Sequence, residues 1–366
     1  MTQTELITGH DASKRTRTAG TASVHMSRVY DLTPRYLLSS EKVNVPKHNH
    51  VLGGTFFSRT ASPNMLPTLA PRCVVDFRQD SQQPDAELWY SKNPVRYESQ
   101  DRLTLAHDGE VLFGVAQFPD SQTELAELTR EAYGAIFGHI SRLGYPFLFR
   151  IWNYLPDINR QDTWGMERYR AFCKGRAQAF FNDARYRNSW LPAGTGIGCA
   201  SSSVHIAFLA SRQDNRVNLE NPRQVPAYRY PSEYGPRPPS FARGTLVRWD
   251  ETRAELFVSG TASVVGHRTA HVGDIEKQCE TTLENIEHLI SARNMARYGV
   301  ARSLSLTDFE RVRIYVRHEE HVPRVKGICS GRLPAEVSML YLGGDICRAE
   351  LLVEIEGSMR LELSGE

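Results

Sequence analysis

Apolar positions along this chain switch between two periods, and the switches come in a repeated order. Val111, Leu112 and Phe113 read as a strand over 110–114. From 124 to 143, Leu125, Leu128, Ala132, Ala135 and Ile136 recur at helical spacing, and Gly144-Tyr145-Pro146 stops the run. A strand over 147–154, a second helix over 166–181 and a strand over 204–210 follow. The order then returns. Strands are predicted over 245–249 and 255–259, with a turn at Asp250-Glu251 between them. A helix follows over 274–293, with Ile275, Cys279, Leu283, Ile286 and Ile290 on one stripe. Next come a strand over 311–317, a short helix over 323–333, a strand over 337–342 and a last strand over 351–356. Both halves read β-(β)-α-β-α-β, an internal repeat.

The pattern predicts an α/β (α+β) protein of two similar domains, each a mixed sheet packed by two helices, with a site at their junction. Residues 1–25 are rich in Thr, Ser, Gly and basic residues without periodicity and read as a disordered tail. The domains are expected at 26–220 and 221–366. Up to about residue 100 the pattern is irregular, with short strand-like pieces such as 73–77. The stretches 188–198 and 222–239 are Pro/Gly-rich and read as connections.

The last predicted strand holds two acids. Alternation puts Leu351, Val353 and Ile355 on one face and Leu352, Glu354 and Glu356 on the other. A carboxylate in such a run is either the wet face of an edge strand or an acid aimed into a pocket. In apolar surroundings its pKa would rise, as a general acid requires. Cys347 lies seven residues before Glu354. On one continuous strand the two would sit on opposite faces, roughly 23 Å apart. They share a pocket only if the chain turns between them, and residues 343–345 and 348–350 give room for that.

Composition narrows the chemistry. The 366 residues are 40% hydrophobic and 23% charged, and the net charge of +2 calls for neither nucleic acid nor an anionic membrane. Seven of the 44 basic residues are Lys, leaving 37 Arg, so an anion site here would be built from guanidinium forks. The six cysteines are scattered, without C-x-x-C pairs, which suggests neither a zinc site nor a disulfide framework. No apolar run nears the roughly 18 residues of a membrane span, and the polar N-terminus has no signal-peptide core. A cytoplasmic, reduced protein is expected, without metal or cofactor. A monomer is the working expectation.

Other motifs are weaker. Thr195-Gly196-Ile197-Gly198 lacks dinucleotide spacing and reads as a tight turn, and no P-loop run occurs. His48-Asn49-His50 has no carboxylate or cysteine at useful spacing, and His267 and His271 fall in a predicted loop. Arg170 and Arg176, on the second helix, are six residues apart, so at most one points at a given ligand. Residues 230–239 form a proline-stiffened segment presenting Tyr230, Tyr234 and Arg237, either a rigid linker or a rim for an anion.

Residues 234–236, 256–260, 273–278 and 353–356 resemble the YjgF/RidA imine deaminase superfamily. From about residue 100 the chain is similar to the chorismatase family, built from two such domains. Trp152-Asn153-Tyr154, Ile158-Asn159, Tyr169-Arg170, residues 175–179, Thr195-Gly196-Ile197-Gly198, Glu220-Asn221-Pro222, residues 234–239, Gly266-His267-Arg268-Thr269 and Asp345-Ile346 carry the likeness. The simple deaminases place an arginine in the strand before the last; residues 334–338 have none, which weighs against imine hydrolysis. The resemblance implies removal of pyruvate from chorismate, a dicarboxylate. It assigns Glu354 as the acid, with Cys347 and Gly260 as the pair typical of the branch forming 3-hydroxybenzoate. Arg170, Arg176, Tyr234 and Arg237 become candidate substrate contacts. A hydrolytic chorismatase giving a dihydroxycyclohexadiene carboxylate, a bifunctional branch giving both 3- and 4-hydroxybenzoate, and a non-catalytic YjgF-like binding protein are the alternatives.

Overall fold

The structure, a computed structural model, describes residues 32–37, 50–58, 66–78, 86–120, 124–186 and 190–363. The expected N-terminal tail, and His48 and Asn49, lie outside them.

The repeated order becomes two sheets of the same topology. The first half is the hairpin Leu103–His107 and Val111–Pro119, helix α1 (Leu125–Arg142), strand Phe147–Pro156, helix α2 (Arg168–Asn182) and strands Ala193–Cys199 and Ser203–Ser211. The second is the hairpin Gly244–Arg248 and Arg253–Ala262, helix α3 (Ile275–Ile290), the short α4 (Ala292–Ala296), strand Arg311–Val316, helix α5 (Val322–Arg332), and strands Ser338–Gly343 and Val353–Glu362. In each sheet the final strand inserts between the hairpin and a parallel pair, 147–156 with 193–199 and 311–316 with 338–343. The expected fold class therefore holds.

Helix α3 follows from its sequence. Gly273 takes a positive φ of 80°, and the Asp274 side chain then accepts from the Lys277 N–H at 3.1 Å, capping the first turn. The predicted stripe, Ile275 to Ile290, is buried against the second sheet. The helix ends at Ile290, three residues before the expected end, because Ser291 with a ψ of 144° leaves the helical region.

Helices α1 and α2 cover one face of the first sheet, and α3 and α5 one face of the second. The other two faces meet in a shared core that includes Phe149, Trp152, Ile197, Phe257 and Tyr315. This makes four layers, helix–sheet–sheet–helix. A separate four-stranded sheet, Thr33–Leu37, Ala86–Ser91, His50–Phe56 and Arg72–Val74 in spatial order, closes one end of that core through Leu52, Phe77 and Trp89. It is what the irregular pattern before residue 100 becomes.

Three expectations change. Strand Arg216–Leu219 pairs with Gly244–Arg248, so it belongs to the second sheet although it precedes residue 221. Asp345–Ile346 pairs with Ile197–Gly198 and so extends the first sheet from the second half. The glycine-rich 195–198 run is a strand rather than a tight turn. Its glycines admit close neighbours: a Cβ at Gly198 would lie 2.6 Å from Ile158 and 2.7 Å from Asp345.

Candidate active site

Glu354 is the second residue of the central strand Val353–Glu362. It lies opposite Tyr315 on one side and Ala262 on the other. Val353 and Ile355 face the α3 core, so alternation sends Glu354 and Glu356 to the face between the sheets. Leu351 and Leu352 precede the strand and escape the alternation. Glu354 is 4% exposed and borders a cavity of about 390 Å³, a volume suited to a small ligand.

Burial pushes the Glu354 carboxyl up to about 8, and the charge of Glu356 adds to this against Arg150 and Arg243. At neutral pH the group is therefore a protonated acid. Glu356 is the opposite case. Burial would raise it, but Arg150 and Arg313 outweigh that and hold it below the usual carboxylate range. It pairs with Arg150 and with Arg313 Nη1 at 3.2 Å, and accepts from Thr195 Oγ1, Trp152 Nε1 at 3.0 Å and the Tyr315 hydroxyl at 3.1 Å. Two carboxyls two residues apart are thus set in opposite charge states, one bare of cation contacts and one clamped.

The facing strand Arg253–Ala262 shifts register between Val258 and Thr261, a bulge that contains Gly260. The Gly260 N–H donates to Thr195 Oγ1 at 3.0 Å, tying the bulge to the first sheet. A Cβ built on Gly260 falls onto Glu354 Oε1, well inside contact distance. Only glycine leaves this carboxyl in its present place.

Cys347 lines the same cavity. The chain does turn between it and Glu354: Leu351 N–H donates to Arg348 O at 3.1 Å, and the strand then begins at Val353. Burial, with Glu354 adding to it, pushes the Cys347 thiol up to about 12, so it stays protonated. A thiol in that state donates or relays a proton and is a poor nucleophile.

The candidate anion contacts sort differently from the sequence expectation. Arg170 and Tyr234 border the cavity. Arg176 does not. It is 3% exposed, lies over the Phe172 ring and is stabilised by the nearby Tyr133 of α1. Arg237 is exposed and borders a different groove with Phe181 and Tyr228. Their places are taken by Arg243 and Arg348, which sequence reasoning missed. Arg243 is buried, donates Nη2 to Tyr230 Oη at 2.7 Å and Val225 O at 3.1 Å, and leaves Nε without a protein partner. Arg348 stacks on Tyr234, 4.0 Å from the ring centroid, and donates to His267 O at 3.0 Å. Tyr169 was also missed as a wall of the cavity. Arg348 adjoins Cys347 in sequence and could have been found there; no periodicity marks Arg243.

Fold and site together define a class: two sheets of matching topology packed face to face, with a small-molecule cavity walled by a buried carboxyl. The family model described as "Chorismatase FkbO/Hyg5-like, N-terminal" matches residues 87–210. A 3-hydroxybenzoate synthase of Streptomyces hygroscopicus is 40% identical over 89% of this chain and 96% of its own length. A chorismatase of Streptomyces rapamycinicus is 43% identical over 78% and 86%. A chorismatase crystal structure superposes with a TM-score of 0.85 at 36% identity, covering 91% of this chain and 99% of the other. The chain belongs to the chorismatase family.

Proposed function

We propose that the protein converts chorismate to 3-hydroxybenzoate and pyruvate, with Glu354 as the acid. The observation that carries this reading is a carboxyl whose pKa burial raises to about 8, at the wall of a cavity lined by Arg170, Arg243 and Arg348. Chorismate has two carboxylates and an enol ether, and the arginines suit the first as the acid suits the second.

The enol-ether methylene takes the Glu354 proton, leaving an oxocarbenium on the side chain. The neighbouring ring hydroxyl oxygen attacks the ring carbon that bears the ether, and the carbon–oxygen bond breaks with its electron pair leaving on pyruvate. The hydroxyl proton returns to Glu354. The resulting arene oxide opens, its oxygen takes a proton and a ring C–H gives one up, restoring aromaticity. The two products together contain the atoms of one chorismate. The hydrolytic route needs one water more.

In this reading Cys347, on the cavity wall, supplies or relays the proton for ring opening. Gly260 lets the carboxyl of Glu354 stand where it does. Replacing Gly260 and Cys347 together by alanine is therefore expected to move product toward the diol. The new methyl at 260 displaces the carboxyl, and the thiol proton is gone. Chromatography of products formed from chorismate in ¹⁸O-labelled water reads the outcome. An unchanged product ratio rejects these two roles, and a diol as the main product of the unmodified protein, labelled or not, rejects the branch.

Because the protonated form of Glu354 is the active one, kcat for pyruvate release should fall as pH rises through about 8. A profile that rises across that value would require a base rather than an acid.

A non-catalytic binding protein is the reading from a different class. It requires no pyruvate from chorismate at any pH.

A further inference from the structure

Arg317 follows the strand Arg311–Val316 and is 8% exposed. Its guanidinium makes five hydrogen bonds. Nε donates to Leu351 O at 2.7 Å. Nη1 donates to Asn159 Oδ1 at 3.0 Å and Asp345 Oδ1 at 2.8 Å. Nη2 donates to Ile346 O at 3.0 Å and Arg348 O at 2.9 Å. A guanidinium has five N–H donors in a fixed plane, and here each has an acceptor.

Four of those acceptors belong to residues 345–351, the turn between Cys347 and Glu354. The carbonyls of Ile346 and Arg348 flank Cys347 on either side, and the carbonyl of Leu351 closes the turn. The fifth acceptor, Asn159, comes from the first half and borders the cavity. Arg317 itself does not border it, and its saturated donors leave nothing to offer a substrate. It holds from behind the wall whose front carries Cys347 and Arg348.

We propose that Arg317 is a positioning residue that fixes the 345–351 turn, and through it both the grip of Arg348 on substrate and the choice of product by Cys347. The kinetic part of this rests on the chorismatase reading above. Glu354 stands on the adjoining strand, held by its own ladder, so the acid should be spared. Loss of Arg317 should then separate binding and product choice from the chemical step.

The test compares the unmodified protein with Arg317→Lys, Arg317→Ala and the milder Asp345→Asn. A lysine ammonium cannot span five acceptors. In Arg317→Lys, KM for chorismate should rise about tenfold with kcat within about threefold, and product should shift toward the diol. Free guanidinium ion should restore KM and product ratio in Arg317→Ala. Asp345→Asn, which removes one charged acceptor only, should move the same quantities less. Hydrogen–deuterium exchange should quicken over 345–351 in the lysine variant while 353–362 stays protected. The proposal is overturned if exchange over 345–351 is unchanged. It is also overturned if the variants merely lose soluble yield while KM and product ratio stay at their original values. If the unmodified protein releases no pyruvate, the activity reading fails instead, and the exchange measurement still decides the role of Arg317.

Discussion

Glu354→Gln is expected to lower kcat for pyruvate release from chorismate by about three orders of magnitude, the middle of the range for a positioned general acid. Protonating carbon is slow without such a donor, and a glutamine amide has no acidic proton to give. The fold should survive. Glutamine matches the protonated carboxyl in shape, and the site already holds a neutral group at neutral pH. Pyruvate formation followed continuously, together with thermal unfolding, checks both halves of the statement. A variant that keeps full activity removes Glu354 from the mechanism. The variant should also lose a slope in stability. The carboxyl moves from 4.5 to about 8 on folding, so between those values the folded protein keeps a proton that the unfolded chain has released. Stability of the unmodified protein therefore falls as pH rises across that window, and the glutamine variant should not share this fall.

Glu356→Gln should be the more damaging change to the fold. Glu356 is 2% exposed and clamped between Arg150 and Arg313, with three further hydrogen bonds. Arg313 keeps its pair with Glu87, but Arg150 keeps no carboxylate, only the Thr195 hydroxyl and the face of Trp152, and its Nη1 has no partner already. Removing one partner from a buried ion pair costs about 3–5 kcal/mol, because the other charge stays buried. Denaturant unfolding should show a loss of that size. Any activity that remains should titrate at lower pH, since the charge that helps raise Glu354 is gone. The shift is only partial, because burial, the larger cause, remains. A variant as stable as the unmodified protein would mean that the network contributes little to folding.

The periodic elements were legible in the sequence because each one faces a single neighbour. The α3 stripe and the alternation from Val353 to Glu356 state directly which side is buried. The glycine run at 195–198 was misleading. Composition alone says turn, whereas the glycines answer Ile158, Tyr169 and Asp345 pressing on a strand from other parts of the chain. Arginines were the least legible. Arg176, Arg243 and Arg317 have the same side chain, yet one is packed behind a helix, one faces the cavity and one fastens a turn. What separates them is the identity of carbonyls and hydroxyls remote in sequence, which no local pattern carries. The Cys347–Glu354 pairing lay between these cases. The need for a turn was readable; the guanidinium that fixes it was not.

The matching order of the two sheets has a further meaning when corresponding strands are compared. Ser203–Ser211 occupies in the first sheet the place that Val353–Glu362 holds in the second. Its inner face includes Ala207 and Leu209, and the whole of Ser203–Ser211 contains no acid. The first half instead contributes Arg150, Trp152 and Thr195, the groups that bind Glu356. The two matching sheets thus have unlike roles: one carries both acids, and the other supplies part of the clamp on Glu356. Neither sheet is a smaller version of the enzyme, and improving one without the other would unbalance a charge pattern that spans both.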